Sequence, residues 1–271
     1  MLNVVLLFLL SGSVFAGHNF NKVMIIVFEN EDFNNAVKQP YFNSLMREGA
    51  IATNYHAETH PSQGNYVALI SGSLFGVRDD RNTNIDQRHI GNLLEDAGKS
   101  WKVYAEGYPG NCFVGAQSGR YVRKHVPFIS FLNVQTNPAR CARIQDTNSF
   151  TRDFEAGTLP EYSLYVPDLN NDGHDTGVAF GDKWLKARFD PILHSPKMPK
   201  DLLVIITFDE GSRFSDNRIY TLFWGANTKR GSSTNQPYTH YSTLRTIEEE
   251  FAVGSLGQND ARAIPITDIW N

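Results

Sequence analysis

The chain has 271 residues, 41% hydrophobic and 20% charged, with a formal net charge of −4. That size and composition suit one large globular α/β domain or two small ones. The acidic balance leaves no broad basic surface and excludes a nucleic-acid scaffold role. Phosphate esters would bind only where a local site, such as one holding a metal ion, reverses the sign.

In chain order, the first sixteen residues, MLNVVLLFLLSGSVFA, form a short apolar run ending in Ser13, Val14, Phe15 and Ala16 before Gly17. This reads as a signal peptide, too short to span a bilayer comfortably, and predicts export. No later segment approaches membrane length. Residues 17–271 are therefore expected to be secreted as a single domain without a stable membrane anchor.

KVMIIVF at 22–28 is a nearly continuous apolar run, as expected for a central strand buried on both faces. Further strands are predicted at 100–105, 162–168, 201–210 and 218–224, and helices at 40–49, 64–71, 90–97, 180–193 and 240–251. The alternation predicts an α/β fold with a mostly parallel central sheet flanked by helices. Residues 106–160, with their Gly, Pro and Asn, read as an irregular insert over one sheet edge. The insert holds both cysteines of the chain, Cys112 and Cys141. In an exported protein an isolated pair forms one disulfide, stabilising by about 3–4 kcal/mol in the chain-entropy model.

Polar residues stand just past the strand ends: Glu29-Asn30, Asp168 and Asp209-Glu210. In open α/β sheets the ligand crevice lies outside the carboxyl ends of the strands. Any one of these residues alone could be a helix N-cap. Carboxylates gathered there would repel one another unless cations neutralise them. VPDLNNDGHDTG (166–177) adds Asp172, His174 and Asp175 across a turn, a spacing that lets a carboxylate and an imidazole share one ion. An EF-hand reading of this turn fails, because Ala179 stands where the twelfth-position Glu belongs. ETHPSQGNYVALISG (58–72) places Ser62 at the entrance of a helix, either as a cap or as a nucleophile, and residues alone leave both readings open. His240 stands at the entrance of the last amphipathic helix.

Five segments, VFENEDF, THPSQGNY…SG, VPDLNNDGHD…GDKWL, ITFDEG and THYSTLRTIEEEF, occur in the order shown by one known family. Over residues 22–252 the chain resembles the secreted acid phosphatase and phospholipase C-type phosphoesterases of the alkaline phosphatase superfamily. The resemblance implies an alkaline-phosphatase-like fold and a serine nucleophile, Ser62, that forms a phosphoserine; Thr59 in the same turn is the alternative. Glu29, Asn30, Asp209 and Glu210 would hold a divalent cation touching Ser62. Asp168, His174 and His240 would form a second set, binding a second ion or protonating the leaving group, with Asp175 as ligand or support. Lys124 and His125 would contact phosphate together with Asn30, and His60 would contact substrate or move a proton. The oxygen-rich set suits calcium, magnesium or manganese, and the histidine-containing set zinc or iron, so one or two ions of open identity are expected.

Gly64 stands where the family pattern has Pro, while Asp209-Glu210 for the superfamily's usual Asp-His and Glu29-Asn30 for its first-strand Asp are swaps that fit this subfamily. The function so implied is a secreted phosphomonoesterase acting on small phosphate esters. A phospholipase C-like phosphodiesterase is the alternative, with an apolar lip from Phe113, Val114, Phe128, Phe131 and Leu132. A catalytically silent binding module of the same fold is a third reading. SQGNY lacks the Cys/Ser-X-Pro-X-Arg pattern of a sulfatase.

Overall fold

The computed structural model describes residues 19–271, so the expected signal peptide at 1–16 lies outside the described residues. The five expected strands form as Lys22–Phe28, Trp101–Ala105, Tyr162–Val166, Leu202–Phe208 and Thr221–Gly225. Three short segments, Ala50–Ala52, Ile144–Gln145 and Ser232–Thr234, complete an eight-stranded sheet. Across the sheet the strands run Ser232–Thr234, Ala50–Ala52, Thr221–Gly225, Leu202–Phe208, Lys22–Phe28, Tyr162–Val166, Trp101–Ala105, Ile144–Gln145. All neighbours pair in parallel except Thr221–Gly225, which is antiparallel to both strands beside it.

The register of the two central strands places the site. Lys22–Phe28 pairs with Leu202–Phe208 residue for residue, from Lys22 opposite Leu202 to Phe28 opposite Phe208. Side chains alternate between faces along a strand, so Phe28 and Phe208 point the same way. Both join an aromatic cluster with Phe42, and Phe28 also meets Trp184; these come from helices Pro40–Leu45 and Val178–Leu193. The next residues, Glu29 and Asp209, therefore face the other side of the sheet. There, helix Gln63–Ser71 packs against helix His240–Glu250.

Residues 106–160 are more regular than expected. Ile144–Gln145 joins the main sheet as an edge strand beside Trp101–Ala105, and Thr147–Ala156 is a ten-residue helix. Its signals stand in the sequence: Asp146 caps the first turn by accepting from the Asn148 amide at 2.9 Å, Phe150 and Phe154 share one face, and Gly157 ends the helix at φ 70°. Cys112 and Cys141 form the expected disulfide. No helix among the described residues is long and apolar enough to cross a membrane.

Helix His240–Glu250 carries a buried acid pair. Glu248, 1% exposed, is pushed up to about 9 by burial and by the Asp260 carboxylate beside it, with Arg245 partly offsetting. Folded protein thus holds a proton there that unfolded protein loses above the ordinary value of 4.5, so this group's contribution to stability falls as pH rises from 4.5 towards 9. Glu248→Gln should flatten that dependence: the drop in Tm between acid and alkaline buffers is expected to be smaller in the variant than in the wild type, as read by scanning calorimetry.

Candidate active site

The exits of the two central strands are stitched together by their backbones. Asp209 N donates to Phe28 O at 2.9 Å, Asn30 N donates to Asp209 Oδ1 at 3.1 Å, and Glu31 N donates to Glu210 O at 3.1 Å. Asn30 takes φ 24°, on the left-handed side that asparagine tolerates better than most residues, and it lines the cavity over the site.

Ser62 precedes helix Gln63–Ser71, and its side chain makes no capping hydrogen bond. Its Oγ instead lies 2.9 Å from Glu29 Oε2 and 3.1 Å from Glu210 Oε1. The turn that presents it is held by Asn65, whose Oδ1 accepts from the amides of Glu58 and Thr59 at 2.9 and 3.0 Å and whose Nδ2 donates to Thr59 O at 2.8 Å. A side chain at position 64 would put its Cβ 2.7 Å from Thr59 Cγ2, so glycine there allows the turn to close on the helix. Thr59 directs its own hydroxyl to His60 O at 3.2 Å rather than to the acids.

Four buried carboxylates surround this point. Burial and the charges of Asp209 and Asp172 push Glu29 well above the ordinary range; burial and Glu210 do the same to Asp209. Burial raises Glu210, and brings Asp172 up to about 7. His125 is fully buried among them, with Nε2 3.1 Å from Glu29 Oε1 and Nδ1 3.3 Å from Asp172 Oδ2. Burial, then the Lys124 charge, lowers its basicity well below that of an ordinary imidazole. Tyr66 stacks on the His125 ring at 5.1 Å and donates to Glu29 Oε1 at 2.6 Å.

The count of donors falls short. One hydroxyl proton cannot serve two carboxylates, and a neutral imidazole donates from one nitrogen only. Asp209 Oδ2 and Asp172 Oδ2 are buried without any hydrogen-bond partner. This donor set fits a divalent cation. Glu29, His125 and Asp172 present ligand atoms within 4.8 Å of one another, and Glu29, Ser62, Asp209 and Glu210 supply an oxygen-rich set beside them.

Basic side chains line the mouth of the site. A cavity of about 610 Å³ above Ser62 is lined by His60, Lys124, His174 and Arg213, together with Asn30 and Asp80. His60 Nδ1 lies 2.7 Å from Glu210 Oε2, and His174 Nδ1 2.7 Å from Asp175 Oδ1. Asp80 takes Lys124 Nζ at 2.8 Å and the Gln63 amide at 3.1 Å, tying that cation to the first turn of the serine's helix. A larger cleft of about 720 Å³, between His194, Trp224 and Arg230, contains none of these groups. Chemistry rather than size marks the site.

Of the sequence-predicted residues, Glu29, Asn30, Ser62, Asp209, Glu210, His60, Lys124, His125 and His174 come together. Two expected ligands do not reach the cluster. Asp168 Oδ1 accepts from the amides of Asn170 and Asn171, both at 3.0 Å, and so caps its own turn; Asp172, four residues on, delivers the carboxylate. His240 faces Asp209 O with Nε2 at 2.8 Å and Tyr55 Oη with Nδ1 at 3.4 Å, leaving no free nitrogen. Burial lowers it to about 4, so it stands neutral behind Asp209. His125, expected at phosphate, lies beneath it among the acids. The apolar lip expected from the insert does not form, because Phe128 and Phe131 are core residues and only Val114 of that group is exposed. Tyr66, Asn65, Asp80 and Arg213 are additional. Tyr66 sits four positions after Ser62, on the same helical face, which is the signal that could have found it.

Comparison with known proteins bears on family and fold. A family model described as the Phosphoesterase family matches residues 34–254. The chain is 35% identical over 260 residues to a probable acid phosphatase of Kluyveromyces lactis, covering 91% of this chain and 62% of that protein. It is 34% identical over 258 residues to a phosphatidylinositol-3-phosphatase of Mycobacterium tuberculosis, covering 93% of this chain and 83% of that one. The chain spans 58–63% of the length of the fungal relatives it matches. Among solved structures, an alkaline phosphatase superfamily protein of Vibrio parahaemolyticus superposes with a TM-score of 0.60 at 16% identity, covering 93% of this chain and 72% of that chain, and shares the fold.

The excess of buried carboxylates predicts that cation and fold are linked. Chelation should lower Tm by about 5–10 °C. The loss should be greater above pH 7 than at pH 5, because Asp172 ionises near 7 and the uncompensated repulsion then grows. Calorimetry with and without EDTA at the two pH values checks this.

Proposed function

This chain belongs to the Phosphoesterase family, and on that premise we propose that it is a metal-dependent phosphomonoesterase of acid phosphatase type, working through a phosphoserine at Ser62. One observation carries the reading: a serine at a helix entrance turns its hydroxyl away from the helix and onto two buried acids, beneath a cavity that holds Lys124 and Arg213. A serine hydroxyl is a poor nucleophile unless a base or a cation relieves it of its proton. A bound divalent cation would supply that relief and would draw negative charge off the transferring phosphoryl group. Glu29, Asp209 and Glu210 would hold it next to Ser62, with His125 and Asp172 as further ligand candidates.

The remaining steps fall to the protein's own side chains. Lys124 and Arg213 bind the phosphate oxygens and orient phosphorus over Ser62 Oγ. Ser62 gives its proton to one of the two carboxylates it already faces and attacks phosphorus as the ester P–O bond breaks. His174, fixed at Nδ1 by Asp175, protonates the departing alcohol oxygen from Nε2. His60 positions Glu210 through its Nδ1 contact, and His240 holds the Asp209 backbone from behind. Water then cleaves the phosphoserine, releasing phosphate and restoring the hydroxyl. The extra negative charge of a monoester is what several cations at the mouth would favour over a diester.

Export through the expected signal peptide belongs to the same reading, supported by the Cys112–Cys141 disulfide, a bond that persists in oxidising compartments.

Ser62→Ala should lower kcat for p-nitrophenyl phosphate by about 1,000-fold or more, with Tm of the metal-loaded protein retained. Acid quenching of wild type with substrate should trap phosphate on Ser62. Full activity in the alanine variant, or label at Thr59, would overturn the assignment. In contrast, p-nitrophenyl phosphorylcholine should be a poor substrate. His174→Asn should slow hydrolysis of an alkyl phosphate by about 100-fold, yet p-nitrophenyl phosphate, whose leaving group needs no proton, by much less. Equal losses on the two substrates would remove His174 from that role.

A further inference from the structure

The segment after Glu210, GSRFSDN at 211–217, has a fixed base and a free tip. At the base, Ser212 donates from its amide and its Oγ to Asp32 at 2.9 and 2.7 Å, and Gly211 N donates to Asn217 Oδ1 at 2.7 Å. Asn217 Nδ2 donates to Thr59 O at 3.1 Å. The loop is thereby tied both to the exit of the first strand and to the turn that presents Ser62.

The tip holds Arg213 and Phe214. Arg213 lines the Ser62 cavity and has no hydrogen bond or ion pair among the described residues; its guanidinium lies 5.5 Å from the Phe214 ring centre. Phe214 is 93% exposed. A single exposed apolar side chain is ordinary, but this one has company. Four large apolar side chains are exposed among the described residues, and three of them, Val114, Phe180 and Phe214, follow the carboxyl ends of Trp101–Ala105, Tyr162–Val166 and Leu202–Phe208. The last of these ends delivers Asp209 and Glu210 to the site. Phe180 lies in the first turn of the helix that follows the His174 loop. A pocket holding Lys124 and Arg213, with the exposed Phe214 ring beside Arg213, matches an ester whose phosphate is inside and whose alcohol is apolar.

We propose that the Arg213–Phe214 tip determines substrate preference: Arg213 holds a phosphate oxygen while Phe214 packs on an apolar alcohol moiety, so the favoured substrates are phosphate monoesters of apolar alcohols. The proposal rests on the phosphomonoesterase reading and adds the substrate class. An arginine fork suits phosphate oxygens, and anchoring at the loop base keeps Phe214 a short reach from the bond being cleaved.

The test compares kcat/KM for octyl phosphate, held below its micellar concentration, with that for glycerol phosphate. Wild type is expected to favour the octyl ester by about 10-fold or more, and Phe214→Ser to reduce the octyl-to-glycerol ratio by about 10-fold. Because Phe214 is solvent-exposed, the variant should keep its Tm. Arg213→Met should lower kcat/KM for both esters. An equal ratio in wild type and Phe214→Ser overturns the proposal, as does an Arg213→Met enzyme with undiminished activity on both. Turnover of glycerol phosphate without an octyl preference overturns the specificity alone. Turnover of neither ester by wild type overturns the phosphomonoesterase reading and the proposal with it.

Discussion

A hydroxyl has one proton to give, yet Ser62 Oγ stands 2.9 Å from one buried carboxylate and 3.1 Å from another, with Asp209 and Asp172 close behind. Desolvated like charges at this separation oppose each other strongly, and a low-dielectric interior offers little screening. Two outcomes relieve the conflict: the acids take up protons, or a cation enters. The upward displacement of all four acids expresses the first, and the unpartnered oxygens of Asp209 and Asp172 leave room for the second. An arrangement this unfavourable for the bare protein is what the proposed cation-dependent nucleophile requires, since the same carboxylates that repel one another would hold the ion that would lower the serine's proton affinity.

The sheet supplies the crowding at little conformational cost. Because Phe28 pairs directly with Phe208, a single step past each strand end turns two acids to one face at the spacing of adjacent strands, while the preceding phenylalanines fill the core on the other. A one-residue slip would exchange the faces, burying acids among the rings of Phe42 and Trp184. Hydrophobic register and site geometry are therefore one constraint, and the packing of the aromatic layer protects the position of Glu29 and Asp209.

This coupling explains which parts were legible in the chain. Strands buried on both faces announce themselves as apolar runs, so KVMIIVF and LLVIITF, with the acids after them, were readable from spacing alone, and the resemblance of five ordered segments added the serine. Short strands such as Ala50–Ala52 and Ile144–Gln145 were not, because two or three residues carry no periodicity. Asp168 and Asp172 illustrate a finer limit. Both belong to one turn-forming segment, and which carboxylate caps the turn and which enters the core depends on backbone hydrogen bonds that residue types leave open. His240 likewise stood in the expected place by order along the chain, yet its nitrogen meets a backbone carbonyl. The insert's helix was missed because its Gly, Pro and Asn neighbours outweighed a clear cap and a phenylalanine pair.

The position of Ser62 is braced from both ends of its helix. All nine residues of Gln63–Ser71 are buried, so packing rather than intrinsic propensity sets where the helix lies. At its far end Gly72 adopts φ 70°, its carbonyl accepts from Asn259 N and Nδ2 at 2.9 and 3.0 Å, and Asp260 occupies the space a side chain at 72 would need. Asp260 meets Glu248 on helix His240–Glu250, and the opposite end of that helix presents His240 to the Asp209 carbonyl. A path therefore runs from the serine through its helix, across the Glu248–Asp260 pair, back along the last helix and into the carboxylate cluster. Two packed helices fix Ser62 and Asp209 relative to each other, so a shift of either helix would change how the proposed nucleophile sits against the carboxylate cluster.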